Sequence, residues 1–250
     1  MENNNTATLE EISSYLFQET GQKFSVPTIF RTLEKARKPL KKGTKQHIKQ
    51  DKEKVKQFIA ENSCLLSLNS LLAIDECGFN LGAVPKYARA DKNKRAVIKR
   101  TITKGLHYTL LLCVKNVNQP AIIHYQLTKE KVDTKFFHDF LEEINLASND
   151  KHYLLLDNAS IHHALGKRKE LKLPSIQEQA SKKNLELRYL TAYAPELNPV
   201  EKCFNFIKHH YRKARPQTFD ELKQIIEETI KKLQQKDLRK WFKSCFDYES

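Results

Sequence analysis

The sequence predicts an α/β protein, a mixed sheet flanked by helices, preceded by a small all-α helix-turn-helix region. Three observations carry this reading. From residue 70 onward, β-rich apolar runs alternate with stretches of helical periodicity. Two of those runs face each other across a turn-like segment, and the residues before position 41 carry only helical signals. The composition permits such a fold, since 250 residues with 40% hydrophobic and 30% charged content can build one sizeable core or two modest ones.

The first helix is punctuated at both ends. Thr8 is an N-cap with Glu11 three residues on, and Leu9, Ile12, Tyr15 and Leu16 form an apolar stripe that stops at Gly21. Ser25 then caps a second helix with Pro27 just inside. Val26, Ile29, Phe30 and Leu33 repeat on one side, while Thr28, Arg31, Thr32 and Lys35 face the other. Two short helices joined by a tight turn resemble a helix-turn-helix, whose second helix enters the DNA major groove. Between residues 31 and 56 there are eleven Lys/Arg against three acids, among them Lys38, Lys41, Lys42 and Lys45. That run reads both as a solvated arm and as a continuation of DNA contact along the phosphates, and the two readings overlap. The expected organisation is a partial helix-turn-helix domain over 1–45, a basic helical linker over 46–69 with its helix at 51–62, a sheet domain over 70–215, and a C-terminal helix within 216–250.

Within the sheet domain, residues 71–75 form a short apolar strand ending in acid. His107–Lys115 and 121–127 are paired as a hairpin. Asp133 opens a helix carrying Phe136, Phe137, Phe140, Leu141 and Ile144. Residues 153–157 read as a buried strand, 177–184 as a helix and 186–190 as the last strand. Asn198, with Pro199 behind it, starts a helix whose buried stripe is Val200, Phe204, Ile207 and Tyr211. The tail over 218–236 is one amphipathic helix with Leu222, Ile225, Ile226, Ile230 and Leu233 on its apolar side.

Charge and composition narrow the function. With 44 Lys+Arg against 30 Asp+Glu, the formal charge is +14, which favours a polyanionic partner, nucleic acid first. Only six glycines are present, none arranged as GxGxxG or GxxxxGK, so the backbone cradle of dinucleotide and NTP enzymes is missing. Five scattered cysteines with no CxxC pair argue against a zinc ribbon or disulfide framework and for a reducing, cytoplasmic setting. The apolar runs are far shorter than the roughly 20 residues a membrane span needs.

Three acids stand out. Asp75 and Asp157 each follow a nearly all-aliphatic strand, where a rigid sheet holds carboxylates at a fixed separation; Asp is also an ordinary strand stop. Glu201 lies three residues after Asn198, which suits it equally to a capping box and to a third ligand beside the aspartates. Converging carboxylates in a basic protein suit hard cations, and two Mg²⁺ ions roughly 3.5–4 Å apart can activate a hydroxyl and stabilise the leaving oxygen of a phosphodiester.

These residues lie in three blocks, AIDECGF at 73–79, LLLDNASIHH at 154–163 and YAPELNPVEKCFNFIK at 193–208. Together they resemble the signature blocks of DDE transposases of the Tc/mariner superfamily, in particular the bacterial insertion-sequence branch called IS six-thirty. The resemblance runs in order from residue 71 to about 212, with 43 residues between Asp157 and Glu201. It implies an RNase H-like sheet with Asp75, Asp157 and Glu201 as catalytic, metal-holding triad. It also implies two Mg²⁺ ions with Mn²⁺ able to substitute, and double-stranded DNA as partner, both element ends and target, commonly at TA. A homodimer or larger assembly on DNA and a nucleoid-associated location in the bacterial cytoplasm follow. The resemblance also leads us to expect a further helix-turn-helix ahead of residue 1, supplied by another reading frame or lost. The alternatives are a non-catalytic DNA-binding derivative and an RNase H-like nuclease or resolvase. Glu76 is expected on the far side of its strand, Asn158 as an orienting group, and Glu196 as a turn residue. His162 and His163 are expected to be polar loop or helix-start groups. Between residues 86 and 104, eight Lys/Arg against one acid form either a DNA-contact surface or a solvated loop.

Overall fold

A computed structural model describes residues 6–41, 48–82, 88–98, 106–146, 150–158 and 173–247. The chain separates into two compact units, Met1–Gln46 and His47–Ser250.

The first unit is built from α1 (Leu9–Thr20) and α2 (Val26–Lys35). Thr8 and Glu11 exchange side-chain and backbone bonds in a capping box, and Gly21 closes α1 at φ 69°, a left-handed position that suits glycine. Ser25 caps α2 by accepting the Thr28 N–H, and Ser13 Oγ ties the turn by donating to the Phe24 carbonyl at 2.8 Å. Of these helical residues only Ile29 is buried. Tyr15, Phe17 and Phe30 remain exposed, and Ile12, Leu16, Phe24 and Leu33 line an open apolar groove between the helices.

The second unit is a five-stranded sheet in the order β3-β2-β1-β4-β5. Its strands are β1 (Leu71–Asn80), β2 (His107–Lys115), β3 (Ile122–Thr128), β4 (His152–Leu156) and β5 (Leu185–Tyr189). β1, β2 and β3 pair antiparallel, and β4 and β5 join β1 in parallel, so the sheet is mixed, as the sequence predicts. On one face Leu72, Ile74, Leu154 and Leu156 pack against α4 (Thr134–Glu143) and α5 (Ile176–Lys182). On the other, Leu71, Ala73, Leu155 and Phe79 share a larger core with α3 (Lys52–Asn62), α6 (Val200–Ala214), α7 (Phe219–Gln234) and α8 (Arg239–Phe246).

Three expectations are extended. Residues 71–75 were expected to be the whole of the first strand, yet β1 runs on to Asn80, because β2 keeps pairing through Asn80↔His107 after β4 leaves it at Ala73↔Leu155. The tail helix expected over 218–236 is α7, ending at Gln234, and a further helix follows it, with Asp237 accepting the Arg239 N–H at 3.0 Å at the start of α8. The helix expected at 51–62 is α3, and it does more than link, burying Val55 and Phe58 in the main core. Both tail helices enter that core as well, through Leu222, Ile226, Phe242 and Phe246.

α6 is docked firmly. The Tyr211 ring meets Phe79 edge-on with centroids 5.2 Å apart, and its hydroxyl donates to the Asn80 carbonyl. This fixes the far end of α6 against the outer end of β1 and leaves its N-terminal turn level with Asp75.

Candidate active site

Strand register brings the aspartates together. β1 and β4 run parallel up to Ala73 opposite Leu155, so Asp75, two residues further along β1, and Asp157, the first residue past the end of β4, emerge at the same end of the sheet. Side chains alternate along a strand, so Asp75 shares the face of Ala73, the face that α6 covers, and Asp157 lines the same cleft. Glu76 is on the other face and exposed, as expected. Glu201 sits in the first turn of α6. All three carboxylates, with Asn158 and Asn198, line one cleft of about 420 Å³ closed on one side by the loop from Leu190 to Pro195. Within that loop Tyr193 takes φ 61°, a conformation uncommon for a bulky residue.

Asp75 is the best-defined group. Its Oδ1 accepts the Glu76 N–H at 2.8 Å and its Oδ2 accepts the Asn198 amide at 2.9 Å. Burial pushes its pKa from 3.8 up to about 7, opposed by the Glu76 N–H and reinforced by the charges of Glu201, Asp157 and Glu76. A carboxylate held among other carboxylates in a half-buried cleft is a place where positive charge is wanted.

Glu201 does not form the capping box that its spacing allows. The Asn198 N–H is taken by the Pro195 carbonyl at 3.0 Å, and Asn198 itself caps the helix, its Oδ1 accepting the Val200 N–H at 3.1 Å. Glu196 instead accepts a bond from the Gln50 amide.

Two groups were not singled out by sequence reasoning. Asn198 reads as a helix cap, and nothing in its spacing reveals that its amide also reaches Asp75. Lys208 lies seven residues after Glu201, which returns it to nearly the same helix face, and its charge acts on the Cys77 thiol two residues beyond Asp75. Burial pushes that thiol up, Lys208 opposes this, and the nearby Glu201 and Asp75 charges add to the rise. The heptad spacing was the available signal.

The donor set, three carboxylates flanked by amides, offers hard oxygens that fit Mg²⁺ or Mn²⁺ rather than softer metals. Among the described residues, no three His, Cys, Asp or Glu side chains are already drawn together as a ready ligand cluster. The carboxylates share the cleft and each other's field.

In the first unit, Thr28, Arg31, Thr32, Lys35, Lys38 and Lys41 are all exposed. Thr28 and Thr32 border the apolar groove and spend their hydroxyls locally, Thr28 against Ser25 Oγ at 2.8 Å and Thr32 on the Thr28 carbonyl at 2.9 Å. Lys42, Lys45, His162 and His163 lie outside the described residues, as do parts of the basic stretch over 86–104.

Residues 70–223 match a family described as DDE superfamily endonuclease, and residues 3–62 match one described as winged helix-turn helix. Among solved structures, the chain resembles the Mos1 transposase paired-end complex with left transposon end, at 18% identity over 100% of this chain and 77% of that one, TM-score 0.68. It resembles the Mos1 mariner paired end complex with Mn at 18% identity, 100% and 77% coverage and TM-score 0.67. The Mos1 Strand Transfer Complex follows at 19% identity, 100% and 76% coverage and TM-score 0.65. At such identities the likeness is one of fold, an RNase H-like sheet with a helix-turn-helix region before it. No curated protein sequence matches the chain.

Proposed function

Because the chain belongs to the DDE superfamily endonucleases, we propose that it is a transposase that cuts DNA at the ends of a mobile element and joins the freed 3′-hydroxyls to target DNA. The observation that carries this reading is the meeting of Asp75, Asp157 and Glu201 in one cleft of a protein with formal charge +14. In this reading the three acids are the catalytic triad. They would hold two divalent ions, Mg²⁺ or Mn²⁺, which when bound supply a polarised water or hydroxyl nucleophile and stabilise the leaving 3′-oxygen.

The chain's own residues set the conditions for that chemistry. The parallel pairing of β1 and β4 carries Asp75 and Asp157 to one end of the sheet, and the first turn of α6 carries Glu201 to the same cleft. The Glu76 N–H and the Asn198 amide hold Asp75 in one orientation. Arg31, Lys35, Lys38, Lys41, Lys42 and Lys45 neutralise DNA phosphates, with Thr28 and Thr32 at the margin of the recognition helix. Acids are tolerated near DNA only where cations intervene, so binding of duplex and binding of metal support each other.

The finer assignment is the IS six-thirty branch, supported by the three sequence blocks and the 43 residues that separate Asp157 from Glu201. Its partners are double-stranded element ends and target DNA, and pairing two ends calls for at least a homodimer. Among the described residues no helix is long and apolar enough to cross a membrane, and a nucleoid-associated cytoplasmic location fits the charge.

The test is an assay with Mg²⁺ on a duplex ending in the terminal sequence of the element that encodes the chain. Wild type should cleave and join the 3′-hydroxyl end to a target plasmid; Asp75→Asn and Asp157→Asn should each lose both steps while binding the duplex as before. Hydrolysis without joining would make the protein a nuclease or resolvase. Unchanged behaviour of both variants would make it a DNA-binding derivative whose acids do no chemistry.

A further inference from the structure

We propose that Asn198 is a positioning residue that ties the Asp75 carboxylate to the first turn of α6 and thereby sets Asp75 and Glu201 for joint metal binding. The inference rests on the reading of the cleft given above. Asn198 is 2% exposed, and both ends of its side-chain amide are used. Nδ2 donates to Asp75 Oδ2 at 2.9 Å across 123 residues of sequence, and Oδ1 accepts the Val200 N–H at 3.1 Å. Its main chain is spent in the same turn: the N–H goes to the Pro195 carbonyl at 3.0 Å, and the carbonyl accepts the Glu201 N–H at 3.2 Å. One residue thus bonds to the first acid through its side chain and to the third acid through its backbone.

The chemistry of the position calls for an amide. Toward Asp75 the partner must be a donor, because a carboxylate accepts only; toward Val200 it must be an acceptor, because the first N–H groups of a helix have no partner within it. Aspartate would set a fourth carboxylate against Asp75, and serine would cap the helix but stop short of β1. Three acids in one cleft repel one another, so without the Asn198 donor only the Glu76 N–H, bonded to the other oxygen, resists a swing of Asp75 away from Asp157 and Glu201. The Asn198 amide opposes that swing before a cation arrives, as groups behind metal ligands commonly do.

The experiment measures Mn²⁺ binding to the full chain without DNA, from the electron paramagnetic resonance signal of free Mn²⁺, for wild type, Asn198→Ser, Asn198→Ala and Asp75→Asn. Thermal unfolding and duplex binding are followed in parallel. Asn198→Ser keeps an acceptor for the helix start, so it should melt near wild type and bind duplex equally, yet bind Mn²⁺ about tenfold more weakly. Asn198→Ala should lose Mn²⁺ affinity to the same degree with a lower melting temperature. Mn²⁺ affinity within about twofold of wild type in either folded variant would overturn the proposal and leave Asn198 as a helix cap. Should both variants fail to fold, Asn198 is a core residue first and the proposal falls. Mn²⁺ binding that survives Asp75→Asn would instead overturn the reading of the cleft itself, a result distinct from failure of Asn198 alone.

Discussion

Asp75 concentrates the electrostatics of the cleft, and its titration predicts how stability depends on pH. Burial and neighbouring acids raise its pKa from 3.8 to about 7 on folding. The folded state therefore binds this proton more tightly than the unfolded chain does. Its contribution is fully present below about pH 4, is lost as pH rises from 4 to 7, and stays flat above. In metal-free protein, the melting temperature of wild type should fall between pH 5 and 8 by more than that of Asp75→Asn, which lacks the proton. Differential scanning fluorimetry at pH 5, 6.5 and 8 checks this, and parallel curves for the two proteins would contradict it. Divalent metal should reverse the trend, since ligands bind metal as deprotonated groups: Mg²⁺ should raise the wild-type melting temperature more at pH 8 than at pH 5.

At the scale of elements, the sheet edge shows how the C-terminal helices serve the strands. β3 is the outer strand, and Gln234 at the end of α7 treats it as a missing neighbour would: its Nε2 donates to the Ile122 carbonyl at 3.0 Å and its Oε1 accepts the Ile122 N–H at 3.0 Å. Gln234→Ala opens both groups and uncovers an edge prone to pairing with other chains. It should cost about 1–3 kcal/mol in urea unfolding without altering DNA cleavage at temperatures where the protein is folded. Gln234 was not legible in the sequence, because a polar residue at the end of an amphipathic helix looks solvated. What was legible depended on local signals. The caps Thr8 and Ser25, the helix start at Asp133, the hairpin of β2 and β3, and the stripe of α6 are written in neighbouring residues. The full length of β1 and the additional helix α8 were not, since both are decided by tertiary partners. The candidate site divides the same way. Asp75, Asp157 and Glu201 were singled out from strand ends, spacing and the resemblance of three sequence blocks, and they line one cleft, whereas the reach of Asn198 to Asp75 depends on how α6 docks.

At the scale of the whole molecule, charge decides how DNA is held. A surplus of +14 with Arg31, Lys35, Lys38 and Lys41 exposed on and after α2 implies that phosphate neutralisation and counterion release supply most of the affinity. If about six phosphates are contacted, affinity for a duplex of arbitrary sequence should fall about a thousandfold between about 50 and 200 mM salt. The four exposed residues make the argument specific. Changing Arg31, Lys35, Lys38 and Lys41 together to Gln should flatten the slope of log affinity against log salt by about one unit for each residue that meets a phosphate. Helix formation should be unaffected, because Gln is about as good a helix former as Lys or Arg. The measurement is fluorescence anisotropy of a labelled duplex titrated at four salt concentrations. A wild-type loss of less than about tenfold across that range would mean that phosphates do not dominate binding. An unchanged slope in the quadruple variant would move the contact surface away from α2 and its basic extension, leaving the cleft and the remaining Lys/Arg of the sheet unit to hold the DNA.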